Sequence, residues 1–196
     1  MLRPHPISFL QFGLFWIVVA VGAAALIRSF ARNREAGDAA KKSRISTIGI
    51  VCQGVGFASA GFGPVRFGLP WFAPASIIWS ALVILLGGSA IGIFIAATKA
   101  MGKNWSVVAR TRSDHQLVRS GPFAVVRHPI YLALFLYLLS FAVAFGHLGQ
   151  LIIAVPIYLI GMVIRVREEE KLLRAQFGEE HVRYAREVPA FIPFIG

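Results

Sequence analysis

Five long stretches without a charged side chain constrain what this chain can fold into: residues 7–27, 45–63, 67–98, 129–146 and 148–164. A helix rises 1.5 Å per residue and the hydrocarbon core of a bilayer is about 30 Å thick, so runs of this kind read as membrane-crossing helices. Composition agrees: 57% of residues are hydrophobic and 15% charged, where a soluble domain carries about a quarter charged. The predicted fold class is therefore all-α, a polytopic transmembrane helical bundle of five spans. The second run is rich in Gly, Ala and Ser, which suits close helix packing. In the third, Pro70 and Pro74 place the helix start near Ala75. The last two runs are short, seventeen residues rising roughly 26 Å, and are expected to form a hairpin turning at 146–149. Pro156 predicts a kink in the fifth.

The net charge of +11 would point to nucleic acid in a soluble protein. Its placement says otherwise. Residues 28–44, 99–127 and 165–186 hold six Lys or Arg each, and the remaining two of the twenty are Arg3 and Arg66. With five spans the three basic segments fall on one side, 18 against 2, which by the positive-inside rule puts the N-terminus outside and the C-terminus in the cytoplasm. The first run is expected to be a retained span rather than a cleaved signal peptide, because Arg28, Arg32 and Arg34 follow where a cleavage site should be. Cys52, the single cysteine, excludes an internal disulfide and a Cys-rich metal site. The five histidines show no metal-ligand spacing, and no Gly-rich phosphate loop occurs.

Two polar segments break this pattern. In the first, residues 115–131, Ser120-Gly121-Pro122 is a turn signal. His128 precedes a proline and so should sit just outside the fourth helix, with Pro129 in its first turn. Unpaired N–H groups at such a start suit an anion, and Tyr131 can share a side of that turn with His128. The plain alternative is an interfacial anchor, with Arg127 snorkelling, Tyr131 in the aromatic belt and His128 capping. In the second segment Arg165 and Glu169 are four apart and share a helix face. Arg165 borders an apolar run and needs a partner there. Glu168 and Glu170 are expected on a solvated face, Glu170 pairing with Arg174.

The run HQLVRSGPF…RHPIY, followed by R…EEE…FGEE and a final VPAFIPFIG, resembles the isoprenylcysteine carboxyl methyltransferases, part of a wider group of small membrane methyltransferases that includes phospholipid N-methyltransferases. The likeness is dense from about Asn104 onward, roughly half the chain. Length favours a single membrane domain over 1–196, read as a three-span scaffold in 1–100 and, where the likeness lies, a catalytic half in 101–196 made of a cofactor loop, a helical hairpin and a C-terminal helix. The resemblance implies S-adenosyl-L-methionine in a pocket facing the cytoplasm, with His115, Gln116, Leu117 and Val118 wrapping it largely through backbone. Phe123, where the family usually has tyrosine, would keep stacking without the hydroxyl. His128, Pro129, Ile130 and Tyr131 match the cofactor-binding motif, Glu169 the acid that holds the cofactor, and Arg165 the arginine at the methyl-accepting carboxylate. Arg110 falls near a further cofactor position.

A carboxylate is ionised at neutral pH, so its methylation needs alignment and exclusion of water rather than a base, and an arginine fork suits it. A lipophilic, prenylcysteine-like acceptor is expected to reach the site from the bilayer. An amine acceptor, as on a phospholipid, would need a base, for which His128 is the first candidate. Other readings are an NADPH-dependent sterol-type reductase, since distant membrane reductases share a similar C-terminal region, and a non-enzymatic membrane scaffold. Membrane lipids are the expected surroundings; no metal and no nucleic acid are expected.

Overall fold

The computed structural model describes residues 4–32, 44–102, 105 and 116–191. Among them the regular structure is helical: α1 (Phe9–Arg32), α2 (Arg44–Gly61), α3 (Pro74–Met101), α4 (Pro129–Phe145), α5 (Leu151–Phe177) and α6 (Glu179–Glu187). One isolated bridge joins Ile7 to Phe67. All five apolar runs form helices. Three of them, α1, α3 and α5, are long and apolar enough to cross a membrane by length and composition, and α4 is a shorter apolar helix.

Pro74 stands in the first turn of α3, and Pro129 in that of α4. The hairpin after α4 turns where expected. Gly146 adopts φ +73° there, a left-handed conformation open to glycine at little cost, and the following residues form a 3-10 turn (Leu148–Gln150) into α5. The fifth helix runs beyond the apolar run at Ile164 to Phe177, as the helix face shared by Arg165 and Glu169 requires, because the residues that follow (Arg, Glu, Lys, Leu) are good helix formers and no breaker occurs until Gly178. The same helix thus carries both a lipid-type apolar half and a charged half.

α4 is the centre of the bundle. It packs on α3 and α1 through a cluster of Phe15, Val83, Val143 and Ala144. On its other side a cluster of Tyr131, Leu138, Ala142, Ala154, Tyr158 and Met162 joins it to α5, with Ala60 of α2. The α2–α5 contact is the closest in the bundle. A Cβ on Gly161 would lie 2.6 Å from the Gly49 carbonyl oxygen and 2.9 Å from the Gln53 nitrogen. Small residues in α2 therefore let the two backbones approach, as anticipated. Large apolar side chains such as Ile17, Ile48, Ile78, Leu85 and Ile152 face outward, the inverse of a soluble protein and what a lipid-facing surface requires.

The helices alternate in direction, which sorts the connections to two ends. At one end the backbone N–H of His5 donates to Gly146 O (3.0 Å) and that of Ile7 to Arg66 O (2.8 Å). There too His147 donates to Pro64 O (3.2 Å) and Gln150 to Phe62 O (2.8 Å). The other end gathers the segment before α4, the charged half of α5, α6 and residues 188–191.

Candidate active site

Local sequence fixes the approach to α4. Gly121 takes φ +62° and opens a 3-10 turn (Gly121–Ala124), closed by the N–H groups of Val125 and Val126 donating to Pro122 O at 3.1 Å. The chain then reaches His128, which stands at the N-cap of α4 in non-helical geometry with φ −125° and makes no side-chain cap. Residues 189–190 run back along this corner: Arg127 N–H donates to Pro189 O (2.9 Å) and His128 N–H to Ala190 O (3.1 Å). Arg127 adds side-chain bonds to Ala185 O (2.8 Å) and Val188 O (2.5 Å). The Phe191 ring stands 5.6 Å from that of His128. Residues 188–191 thus form a strap over the entrance to α4.

Against this corner lies the charged half of α5. His128, 4% exposed, is held between two carboxylates. Its Nδ1 is 3.7 Å from Glu169 Oε2, and its Nε2 bonds to Glu170 Oε1 at 2.7 Å. Burial alone would lower the His128 pKa, but hydrogen bonding and charge from Glu169 and Glu170 outweigh it and leave the value above the usual imidazole range. The 2.7 Å contact makes Nε2 the donor to the Glu170 carboxylate. Glu170 also accepts from Arg127 Nε at 2.9 Å, and its second oxygen is 3.3 Å from His181 Nε2 of α6. His181 has a lowered pKa, chiefly through burial, since the nearby Arg127, His128 and Arg174 offset the pull of Glu170.

Tyr131, one turn into α4, is buried, and the Arg165 guanidinium lies over its ring 4.8 Å from the centroid. Arg165 Nη1 donates to Gln53 Oε1 of α2 at 2.7 Å. The Tyr158 hydroxyl donates to Tyr131 O at 2.8 Å, pinning α5 to α4 beneath the site. His128 first, then the Tyr131 hydroxyl and the Arg165 charge, act on Glu169, whose Oε2 is buried and has no partner within hydrogen-bond distance.

The structure therefore brings His128, Pro129, Tyr131, Arg165 and Glu169 together from segments about forty residues apart in sequence. Ile130 is half-buried beside them. Gln116 is exposed and Leu117 and Val118 are half-buried on the way to the 3-10 turn. The Phe123 side chain is buried, and its carbonyl accepts from the Tyr184 hydroxyl of α6 at 2.7 Å. Burial raises the Tyr184 pKa to about 12, so that hydroxyl stays a donor. His115 and Arg110 lie outside the described residues. Two expectations are corrected. Glu170 is not a solvated partner of Arg174: it binds Arg127, His128 and His181, because the 121–128 corner and α6 close over that side of α5. Arg127 and Tyr131 are not interfacial anchors, being spent on Glu170 and strap carbonyls and on Arg165 respectively. Sequence reading missed Gln53 and His181 altogether. The need of Arg127 for a carboxylate was the signal that could have found Glu170.

A buried histidine between two carboxylates, a buried carboxylate oxygen with no hydrogen-bond partner and a guanidinium on an aromatic face make a site for a small charged molecule. Residues 81–175, which span from α3 to α5 and hold the whole charged group except His181 and Gln53, match the model of the isoprenylcysteine carboxyl methyltransferase family. The resemblance read from the sequence is upheld. Among curated proteins, the chain is similar to the protein-S-isoprenylcysteine O-methyltransferase of Saccharomyces cerevisiae (30% identity, over 60% of this chain and 49% of that protein). It is also similar to the cobalt-zinc-cadmium resistance protein CzcN of Cupriavidus metallidurans (28% identity, 69% and 57%). The solved structure of the eukaryotic intramembrane Ras methyltransferase ICMT aligns at 25% identity and a TM-score of 0.48, over 76% of this chain and 52% of that one, an overlap too loose to carry weight here. The chain spans about half the length of the isoprenylcysteine methyltransferases it matches.

Proposed function

We propose that this chain is an integral-membrane methyltransferase that uses S-adenosyl-L-methionine to methylate the carboxylate of a prenylcysteine-like or similarly lipophilic acceptor. The observation that carries the reading is the convergence of the family-matched positions: His128 within 3.7 Å of Glu169, and Arg165 over Tyr131. Glu169 fits the donor because its Oε2 is buried and lacks a hydrogen-bond partner, as a seat for an ammonium group requires. When bound, S-adenosyl-L-methionine supplies a methyl group whose bond to sulfur breaks as a bond to carboxylate oxygen forms, the electron pair returning to sulfur. Glu169 and His128 hold the donor's polar end, while Pro129, Ile130 and Tyr131 and the 116–118 and Phe123 approach enclose the rest. Arg165 orients the acceptor carboxylate without protonating it, since a guanidinium keeps its proton. Water exclusion and alignment are worth up to about 7–11 kcal/mol in such a displacement.

The state of His128 favours a carboxylate over an amine. Methylating an amine requires removal of a proton, and both ring nitrogens of His128 already face carboxylates, with Nε2 bonded to Glu170. The open apolar cavity of about 310 Å³ lined by Leu26, Phe94, Leu134 and Tyr137 adds a lipid-accessible surface one turn from Tyr131. In this reading the chain spans the bilayer five times with the N-terminus outside, 1–100 is scaffold and 101–196 carries the chemistry, and the site faces the cytoplasm. The test is transfer of labelled methyl from S-adenosyl-L-methionine into lipid and protein fractions by reconstituted protein. Label in base-labile methyl esters is expected; label confined to phospholipid amines, or none, overturns the reading.

A further inference from the structure

We propose that Gln53 of α2 is a second acceptor-binding residue, its side-chain NH2 completing with Arg165 a clamp for a carboxylate. This rests on the carboxylate-methylation reading above and deepens it. α2 lies outside the 81–175 match, so the family likeness assigns Gln53 nothing.

The orientation of the amide follows from its neighbour. A guanidinium has five donors and no acceptor, so the 2.7 Å contact with Arg165 Nη1 fixes Gln53 Oε1 toward Arg165. The NH2 then points to the other side. Gln53 is only 5% exposed, and its Nε2 is buried with no hydrogen-bond partner. The Tyr158 hydroxyl oxygen faces this NH2 and keeps a lone pair after donating to Tyr131 O, yet it can take at most one of the two amide hydrogens, which leaves the other without an acceptor. A buried donor left unsatisfied is costly and uncommon in native proteins; at the edge of a charged site it calls for a ligand acceptor.

The chemistry of that acceptor is constrained. It must be anionic to sit beside Arg165, and it must offer a second oxygen to Nε2. A carboxylate does both: two oxygens, with lone pairs for more than one donor. A cationic or neutral amine does neither, so the pair selects for carboxylate.

The test uses the full chain in vesicles, labelled S-adenosyl-L-methionine and an N-acylated, S-prenylated cysteine with a free carboxylate. Gln53→Ala is expected to lower kcat/KM for the acceptor about ten- to a hundredfold with unchanged affinity for S-adenosyl-L-methionine, which also reports that the variant is folded. Gln53→Glu separates binding from mere support. It still accepts from Arg165, so a supporting role survives it, whereas a role as donor to the acceptor does not. Loss of acceptor turnover in both variants with cofactor affinity kept establishes the clamp. Wild-type turnover in Gln53→Glu overturns it while leaving the methyltransferase reading intact. A wild-type protein that binds the donor but methylates no carboxylate removes that reading and the clamp together.

Discussion

At the residue scale the site turns on His128, a buried imidazole with a carboxylate on each nitrogen side. Its folded pKa is raised, so the stabilisation it gives is complete below its unfolded value of about 6.5 and is lost as pH rises through the folded value. The melting temperature in detergent should fall as pH climbs above that window, and His128→Gln should flatten the decline; a wild-type profile no steeper than the variant's contradicts the pairing. Glu170→Ala removes the acceptor of Arg127 and His128 at once. At about 1.5–3 kcal/mol for hydrogen bonds to charged groups, the melting point should drop roughly 3–12 °C, whereas a change under a degree would mean the network contributes nothing. The HPIY run was legible because its geometry is local: a proline, the residue before it and one helical turn. Glu170 was not, since neighbouring helical residues face different sides, and which side is covered depends on where the 121–128 corner and the strap come to lie. Gln53 was hidden inside an ordinary apolar run.

At the element scale the α2–α5 pair decides how the acceptor end is built. A side chain at Gly49 would strike the Arg165 stem and come within 2.7 Å of Gly161 O. On the same helix Gly54 is exposed with no neighbour within 4 Å of a Cβ. Gly49→Val should therefore destabilise by about 1–3 kcal/mol through overpacking and depress methyl transfer by displacing Arg165. Gly54→Ala should leave activity unchanged and gain up to about 1 kcal/mol of helix propensity. Melting and turnover assays on the two variants check this, and equal effects would show that the close approach is unimportant. Small-residue content announced the close packing before any coordinates. The drop in hydropathy after Ile164 marks a change of surroundings along one continuous helix, which is why Arg165 and Glu169 share a face of α5.

At the scale of the whole molecule, alternation of α1 to α5 puts Arg28 near the end of α1, Arg44 at the start of α2 and Lys99 near the end of α3 at the end that holds the site. In a cysteine-free background (Cys52→Ala), a cysteine at exposed Ser120 should react with an impermeant reagent only from the cytoplasmic side, and one at exposed Phe72 only from the opposite side. Labelling of both from one side contradicts the five-span topology. The apolar runs made the helices readable, since bilayer thickness acts on composition alone. The convergence of two polar segments about forty residues apart could be read only through family likeness, because no local rule says where such segments meet. The central claim is that His128 and Glu169 seat a methyl donor beside an acceptor clamp at Arg165. Calorimetric titration with S-adenosyl-L-methionine of wild type, Glu169→Ala and Arg165→Ala tests it most directly. Binding to wild type, at least tenfold weaker binding to Glu169→Ala and near wild-type binding to Arg165→Ala are predicted; no binding to wild type, or equal binding by wild type and Glu169→Ala, would contradict it.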